Sequence, residues 1–145
     1  MLAEKLKDYR IVLASGSPRR QQFFKDLNLD VEIRVKEVEE IHSERLRHSE
    51  ISDYLARIKA LPLKGTLKEN EILITSDTIV WHEGKALGKP LTDQEAFSML
   101  KSLSGKIHEV ITSVCFTTTS AEKTVNSITK VYFKELTDEE IHYYI

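Results

Sequence analysis

Leu13-Ala14-Ser15-Gly16-Ser17-Pro18-Arg19-Arg20 is the stretch from which the fold can be read. The apolar run Ile11-Val12-Leu13-Ala14 leads into it, and a helix-like segment follows. An apolar run, then small hydroxyl residues with a glycine, then a proline describes a strand, a tight turn and a helix N-terminus. Ser17 has the side chain of an N-cap. Pro18 suits the first helical position, where no N–H is needed. Such a turn gathers free backbone N–H groups, two serine hydroxyls and two guanidinium forks, a combination that suits a phosphate or polyphosphate. An ordinary strand-to-helix turn with surface arginines would carry the same residues. Neither G-x-x-x-x-G-K-S/T nor G-x-G-x-x-G occurs in the chain.

On either side of this turn the pattern continues as mixed α and β. Residues 1–9 are charged with scattered leucines and form a short lead-in. Arg10 to Ala14 is the first strand, apolar enough to be buried on both faces. Pro18 to Leu27 is the first helix, with Phe23, Phe24 and Leu27 as its expected inner stripe and Asn28 and Asp30 as its breakers. Val31, Ile33 and Val35 alternate with Glu32 and Arg34, the period of a half-buried strand. The acidic run Glu37-Val38-Glu39-Glu40 reads, on composition, as a solvated loop. Ile51, Tyr54, Leu55, Ile58 and Leu61 follow helical spacing, and Pro62 is the expected stop. Lys59 lies near that helix's C-terminus, where the dipole favours a cation.

Glu71 to Thr75 is a second apolar strand, expected to end at Ser76-Asp77-Thr78, with Val80 and Trp81 continuing it and Gly84 turning the chain. A carboxylate at the end of a buried strand is where open α/β sheets place binding chemistry. A turn or capping role for Asp77 fits the same position. Thr92 and Glu95 form a capping-box pattern ahead of a helix that turns Ala96, Met99, Leu100 and Leu103 inward. Gly105 suits the residue just past that helix. Residues 107–119 and 124–134 are rich in threonine, β-branched and aromatic residues, and 120–123 separate them, which predicts a long antiparallel hairpin. Thr137 with Glu140 opens a last helix.

Composition narrows the class. The 145 residues are 41% hydrophobic and 30% charged, as in one soluble globular domain spanning 1–145. A formal net charge of −2 with mixed signs argues against a general nucleic-acid binder. No stretch is apolar and long enough to span a bilayer, so no membrane partner is expected. The single cysteine, Cys115, reads as a buried strand residue and fits a reducing, cytoplasmic location. The histidines His42, His48, His82, His108 and His142 show no metal-ligand spacing.

The opening octapeptide, Ser76-Asp77-Thr78-Ile79-Val80, Gly88-Lys89-Pro90, Leu103-Ser104-Gly105-Lys106-Ile107-His108-Glu109-Val110 and Leu136-Thr137-Asp138-Glu139-Glu140-Ile141 occur in that order. Together they resemble the Maf family of nucleoside triphosphate pyrophosphatases, from about Ile11 onward. The resemblance implies an elongated α/β fold, with a mixed twisted sheet flanked by helices and a cleft between the Ser15–Arg20 turn, Asp77 and Lys89. It also implies a homodimer and a small-molecule nucleoside triphosphate as ligand. The family continues past the position of Ile145 with an Ala-Gly…Gln segment and a closing helix, so the C-terminal part is expected to be missing here.

The chemistry implied is hydrolysis between the α and β phosphates. Charge neutralisation falls to Ser15, Ser17, Arg19, Arg20, Lys59 and Lys89. Asp77 serves as water-orienting base or metal ligand with Glu40 beside it, and both suit Mg²⁺ or Mn²⁺. Arg19 and Thr78 stand where the subgroup acting on dTTP and UTP carries Arg and Thr, which implies pyrimidine, including modified uridine, triphosphates. The family's link to septum formation and cell-division arrest implies an alternative role as a nucleotide-binding regulator. Hydrolysis of non-canonical purine triphosphates, the reaction of a structurally related family, is a third.

Overall fold

The computed structural model describes residues 2–145 as α1 (Leu2–Lys5), β1 (Arg10–Leu13), α2 (Pro18–Asp26), β2 (Val31–Ile33), α3 (Ser49–Lys64), β3 (Glu71–His82), β4 (Lys85–Leu87), α4 (Asp93–Leu103), β5 (Ile107–Thr117), β6 (Glu122–Tyr132) and α5 (Asp138–Tyr144). The strands form one sheet in the order β2-β1-β3-β5-β6, and β4 pairs with the far end of β3. β1 runs parallel to both β2 and β3, whereas β3–β5, β5–β6 and β3–β4 are antiparallel. The mixed sheet follows from the connections. A crossover through α2 or α3 returns a parallel strand, while the short 118–121 turn can only return an antiparallel one.

α3 covers one face of the sheet. Ile51, Leu55 and Ile58 pack there with Ile79 and Ile111, and Ala60 and Leu63 pack with Val12 and Leu73. On the other face Ile11, Leu13, Leu29 and Ile74 form a second cluster with Phe24. Among the described residues no helix is long and apolar enough to cross a membrane.

Several local expectations hold. Ser17 caps α2 with Pro18 in its first turn, Thr92 caps α4, and Thr137 and Glu140 form a reciprocal capping box on α5. Gly105 follows α4 with φ +69°, a conformation that favours glycine. Cys115 is buried in β5.

Others are corrected. α3 runs through Pro62 to Lys64 instead of stopping there. The proline falls in the last turn, where its missing N–H forfeits one bond, and burial of Leu63 holds that turn down. Leu61 points outward; Ala60 and Leu63 take the inner positions. β2 ends at Ile33, and Val35 is exposed. Phe24 alone of the α2 stripe packs into a core cluster. Phe23 (58% exposed) and Leu27 stand on the rim of an apolar groove of about 580 Å³ between α2 and the sheet. The hairpin turn sits two residues earlier than expected, at 118–121, because β5 ends at Thr117 and β6 already begins at Glu122.

The correction that matters most concerns β3. It does not end at Ser76-Asp77-Thr78 but runs unbroken to His82. The strand that ends there is its neighbour β1, whose last pair is Leu13 with Ile74, and β4 pairs with β3 only from Val80 onward. One edge of β3 is therefore open around residues 76–79.

Candidate active site

That open edge creates the site. Carbonyls alternate along a strand, and the Ile74 oxygen faces β1, where Ala14 N–H donates to it at 3.1 Å. The Ser76 oxygen faces the same side but has run out of neighbouring strand. Two side chains take it instead: Lys59 Nζ donates at 3.1 Å and Arg20 Nη1 at 3.4 Å.

Lys59 comes from the penultimate turn of α3, held by the buried Leu55, Ile58 and Leu63 around it. Its ammonium also reaches Asp77 Oδ1 at 2.9 Å and Glu40 Oε1 at 2.9 Å. Glu40 sits in the loop between β2 and α3. It is the one acidic residue of that run with an ion pair to Lys59; Glu37 and Glu39 have none among the described residues. Two carboxylates remote in sequence thus converge on one cation.

Asp77 is 8% exposed, and its Oδ2 is buried with no hydrogen-bond partner. Burial pushes its carboxyl above the usual carboxylate range, and the Lys59 hydrogen bond works against that rise. A buried carboxyl with a raised pKa and one oxygen uncommitted has the properties of a general base.

The Ser15–Arg20 turn closes one side. Ser17 N–H donates to Ser15 Oγ at 3.2 Å, and Arg20 N–H donates to Ser17 Oγ at 3.4 Å. Each hydroxyl accepts one bond and donates none to the described residues, so each keeps its O–H for an incoming acceptor. Arg20 Nη2 donates to Thr78 Oγ1 at 3.3 Å, and Thr78 Oγ1 shares a 3.0 Å bond with Thr112 Oγ1 across the strand pair. Arg20, Lys59, Asp77, Glu40, Thr78 and the two serines are therefore gathered at the gap in β3. Arg19 and Lys89 are exposed, with no hydrogen bond or ion pair to the described residues, and Lys89 lies in the loop after β4.

Five supporting residues have no signal in the sequence pattern. Gln21 Nε2 donates to Ser15 O at 3.0 Å and holds the turn. Thr112 is placed by the β3–β5 register, which also sets Ser113 opposite Asp77. Ser113 Oγ donates to Asp53 Oδ1 at 2.5 Å, and Asn126 Nδ2 donates to the same carboxylate at 3.2 Å, tying α3 to the hairpin. An isolated Thr, Gln or Asp reveals such roles only once the pairing is known.

Comparison with known proteins places the chain in a family. The family model described as "Maf-like protein" matches residues 10–145. The dTTP/UTP pyrophosphatase of Flavobacterium johnsoniae is 63% identical over 145 residues, which cover all of this chain and 75% of that protein. The dTTP/UTP pyrophosphatase of Christiangramia forsetii is 57% identical, again over the whole chain and 74% of its own length. The chain thus spans about three quarters of these relatives. The solved structure of the Staphylococcus aureus Ham1 protein has a similar fold (TM-score 0.55, 16% identity, 85% of this chain and 71% of that one).

Proposed function

The chain belongs to the Maf-like family, and from that premise we propose that it is a nucleoside triphosphate pyrophosphatase acting on dTTP and UTP. Relatives that bear that name at 63% and 57% identity support the substrate class. The observation that carries the chemistry is the convergence of Asp77, Glu40 and Lys59 beside the capped Ser15–Arg20 turn.

The triphosphate lies along the turn. Its oxygens accept from the Ser15 and Ser17 hydroxyls, from free N–H groups of α2 and from Arg20. Exposed Arg19 and Lys89 close on it from the rim. Asp77 orients a water and takes its proton as the water attacks the α-phosphorus. The α–β bridging oxygen leaves with pyrophosphate, and the nucleoside monophosphate remains. Lys59 and Arg20 balance the charge that builds on the phosphates. Thr78, beside Thr112 and Arg20, and Arg19 shape the choice of base.

Asp77 and Glu40 fit a hard divalent cation, Mg²⁺ or Mn²⁺. The donors are oxygens from two elements, and Asp77 Oδ2 is a buried acceptor without a partner. Among the described residues no group of three or more His, Cys, Asp or Glu side chains could hold a metal, so water and phosphate oxygens would complete the shell. Such a cation supplies charge neutralisation of the leaving pyrophosphate.

The test is pyrophosphate release from dTTP, UTP, CTP, ITP and 7-methyl-GTP with Mg²⁺ or Mn²⁺. Release from dTTP and UTP well above the other three is expected. Equal release from ITP, or none from any nucleotide, would contradict the proposal.

A further inference from the structure

Lys59 occupies a cradle built for more than a lysine. Its ammonium touches three oxygens from two places in the chain: Asp77 Oδ1 at 2.9 Å and the neighbouring Ser76 carbonyl at 3.1 Å on β3, and Glu40 Oε1 at 2.9 Å. Two carboxylates and a carbonyl are the donor set of a hard divalent cation. The site also holds an acceptor that Lys59 does not satisfy, the buried Asp77 Oδ2. That oxygen is the independent sign of a second occupant, because a buried carboxylate oxygen without a partner costs stability with no structural return.

We propose that Lys59 is the stand-in for the divalent cation: its ammonium and the metal compete for the same oxygens, and the metal's arrival releases Lys59 to the phosphates. The inference rests on the pyrophosphatase reading for what the released lysine then meets. Lys59 and Mg²⁺ cannot share Asp77 Oδ1 and Glu40 at full strength, since two cations would then lie within contact of one another. In the free protein Lys59 lowers the repulsion between Asp77 and Glu40. With the cation present, the same side chain turns on its four-carbon stem, and the positive charge around the triphosphate rises by one without a new residue. The cation therefore binds weakly by itself and well together with the nucleotide, whose oxygens complete its shell and receive Lys59.

Mn²⁺ binding without nucleotide, read by the electron paramagnetic resonance of free Mn²⁺, tests the competition. Lys59→Met keeps the stem and removes the charge. Its Mn²⁺ dissociation constant should fall at least about tenfold below wild type, because the competing closed state no longer taxes binding. An unchanged or larger constant in Lys59→Met would overturn the proposal. Wild-type protein supplies a second readout that needs no variant. Mg²⁺ titration should move the Lys59 Cε and Nζ resonances to those of a solvated lysine, and resonances that stay fixed while Mg²⁺ binds would also overturn it. Neither readout involves a nucleotide, so failure here is distinct from failure to release pyrophosphate.

Discussion

Two clusters on β3 are built from the same parts and behave in opposite ways. Near the start of the strand, Arg34 lies between Glu32 and Glu71; Lys59, further along, lies between Glu40 and Asp77. Glu71 and Asp77 both point to the α3 side, and both are buried, 2% and 8% exposed. Glu71 has every oxygen engaged: Oε1 accepts from Lys68 N–H at 2.8 Å and Oε2 from Arg34 Nη2 at 3.0 Å. The Lys68 N–H and then Arg34 hold its carboxyl below the usual range, and Glu71 and Glu32 raise the Arg34 guanidinium. Asp77 has one oxygen left over, and burial wins over its lysine. The difference teaches what separates a fully satisfied ion cluster from one with an uncommitted oxygen. It is not the number of charges but whether the fold completes their hydrogen bonds.

The largest effect on stability is expected from breaking the satisfied cluster. Arg34→Leu leaves Glu71 buried beside only its backbone donor and should cost about 3 kcal/mol in urea unfolding. Pyrophosphate release per folded molecule should stay at the wild-type level. A loss of turnover instead would mean that the two clusters are not separable.

Asp77→Asn should act with the other sign. It removes an incompletely solvated charge and should stabilise the fold by about 1 kcal/mol at pH 8. A raised carboxyl contributes stability that is present below its unfolded pKa and is lost as pH rises through the folded one. The advantage of Asp77→Asn should therefore vanish as pH falls into the acid range. Glu71, with its lowered carboxyl, contributes stability that is present above its unfolded pKa and is lost as pH falls through the folded one. The margin of wild type over Glu71→Gln should shrink on the acid side. Thermal unfolding of both variants across pH 3–8 checks the two slopes, and slopes of the same sign would break the comparison.

Glu40→Gln should have the smallest effect on stability, below about 0.5 kcal/mol, since Glu40 is half exposed and its bond to Lys59 is screened. Its effect on pyrophosphate release should be much larger than its effect on melting. A stability loss on the scale of Arg34→Leu would place Glu40 with the structural cluster.

Much of this architecture was legible in the residues. Small polar residues marked helix starts at Ser17, Thr92 and Thr137 because capping is local chemistry, and Gly105 marked a stop for the same reason. The hairpin was legible from its composition. The site was legible in part. Asp77 and the Ser15–Arg20 turn stood out as strand-end chemistry, but the strand that ends is β1, and only pairing reveals it. The choice of Glu40 over Glu37 and Glu39 came from resemblance to a family; in the structure Lys59 reaches the first and not the others. Thr112, Ser113 and Asp53 were invisible because their roles come from the β3–β5 register and from α3 lying across it. Phe23 and Leu61 were misplaced by helical spacing, which gives a stripe but not which edge of it the sheet covers.

The most direct test of the central claim is a paired measurement on Asp77→Asn: single-turnover dTTP hydrolysis and dTTP binding on the same folded protein. The account predicts a loss of at least about a thousandfold in turnover with binding kept within a few-fold, as expected for a group that acts on the water and not on the bound nucleotide. Turnover that persists within tenfold of wild type, or that falls only in step with lost binding, would contradict it.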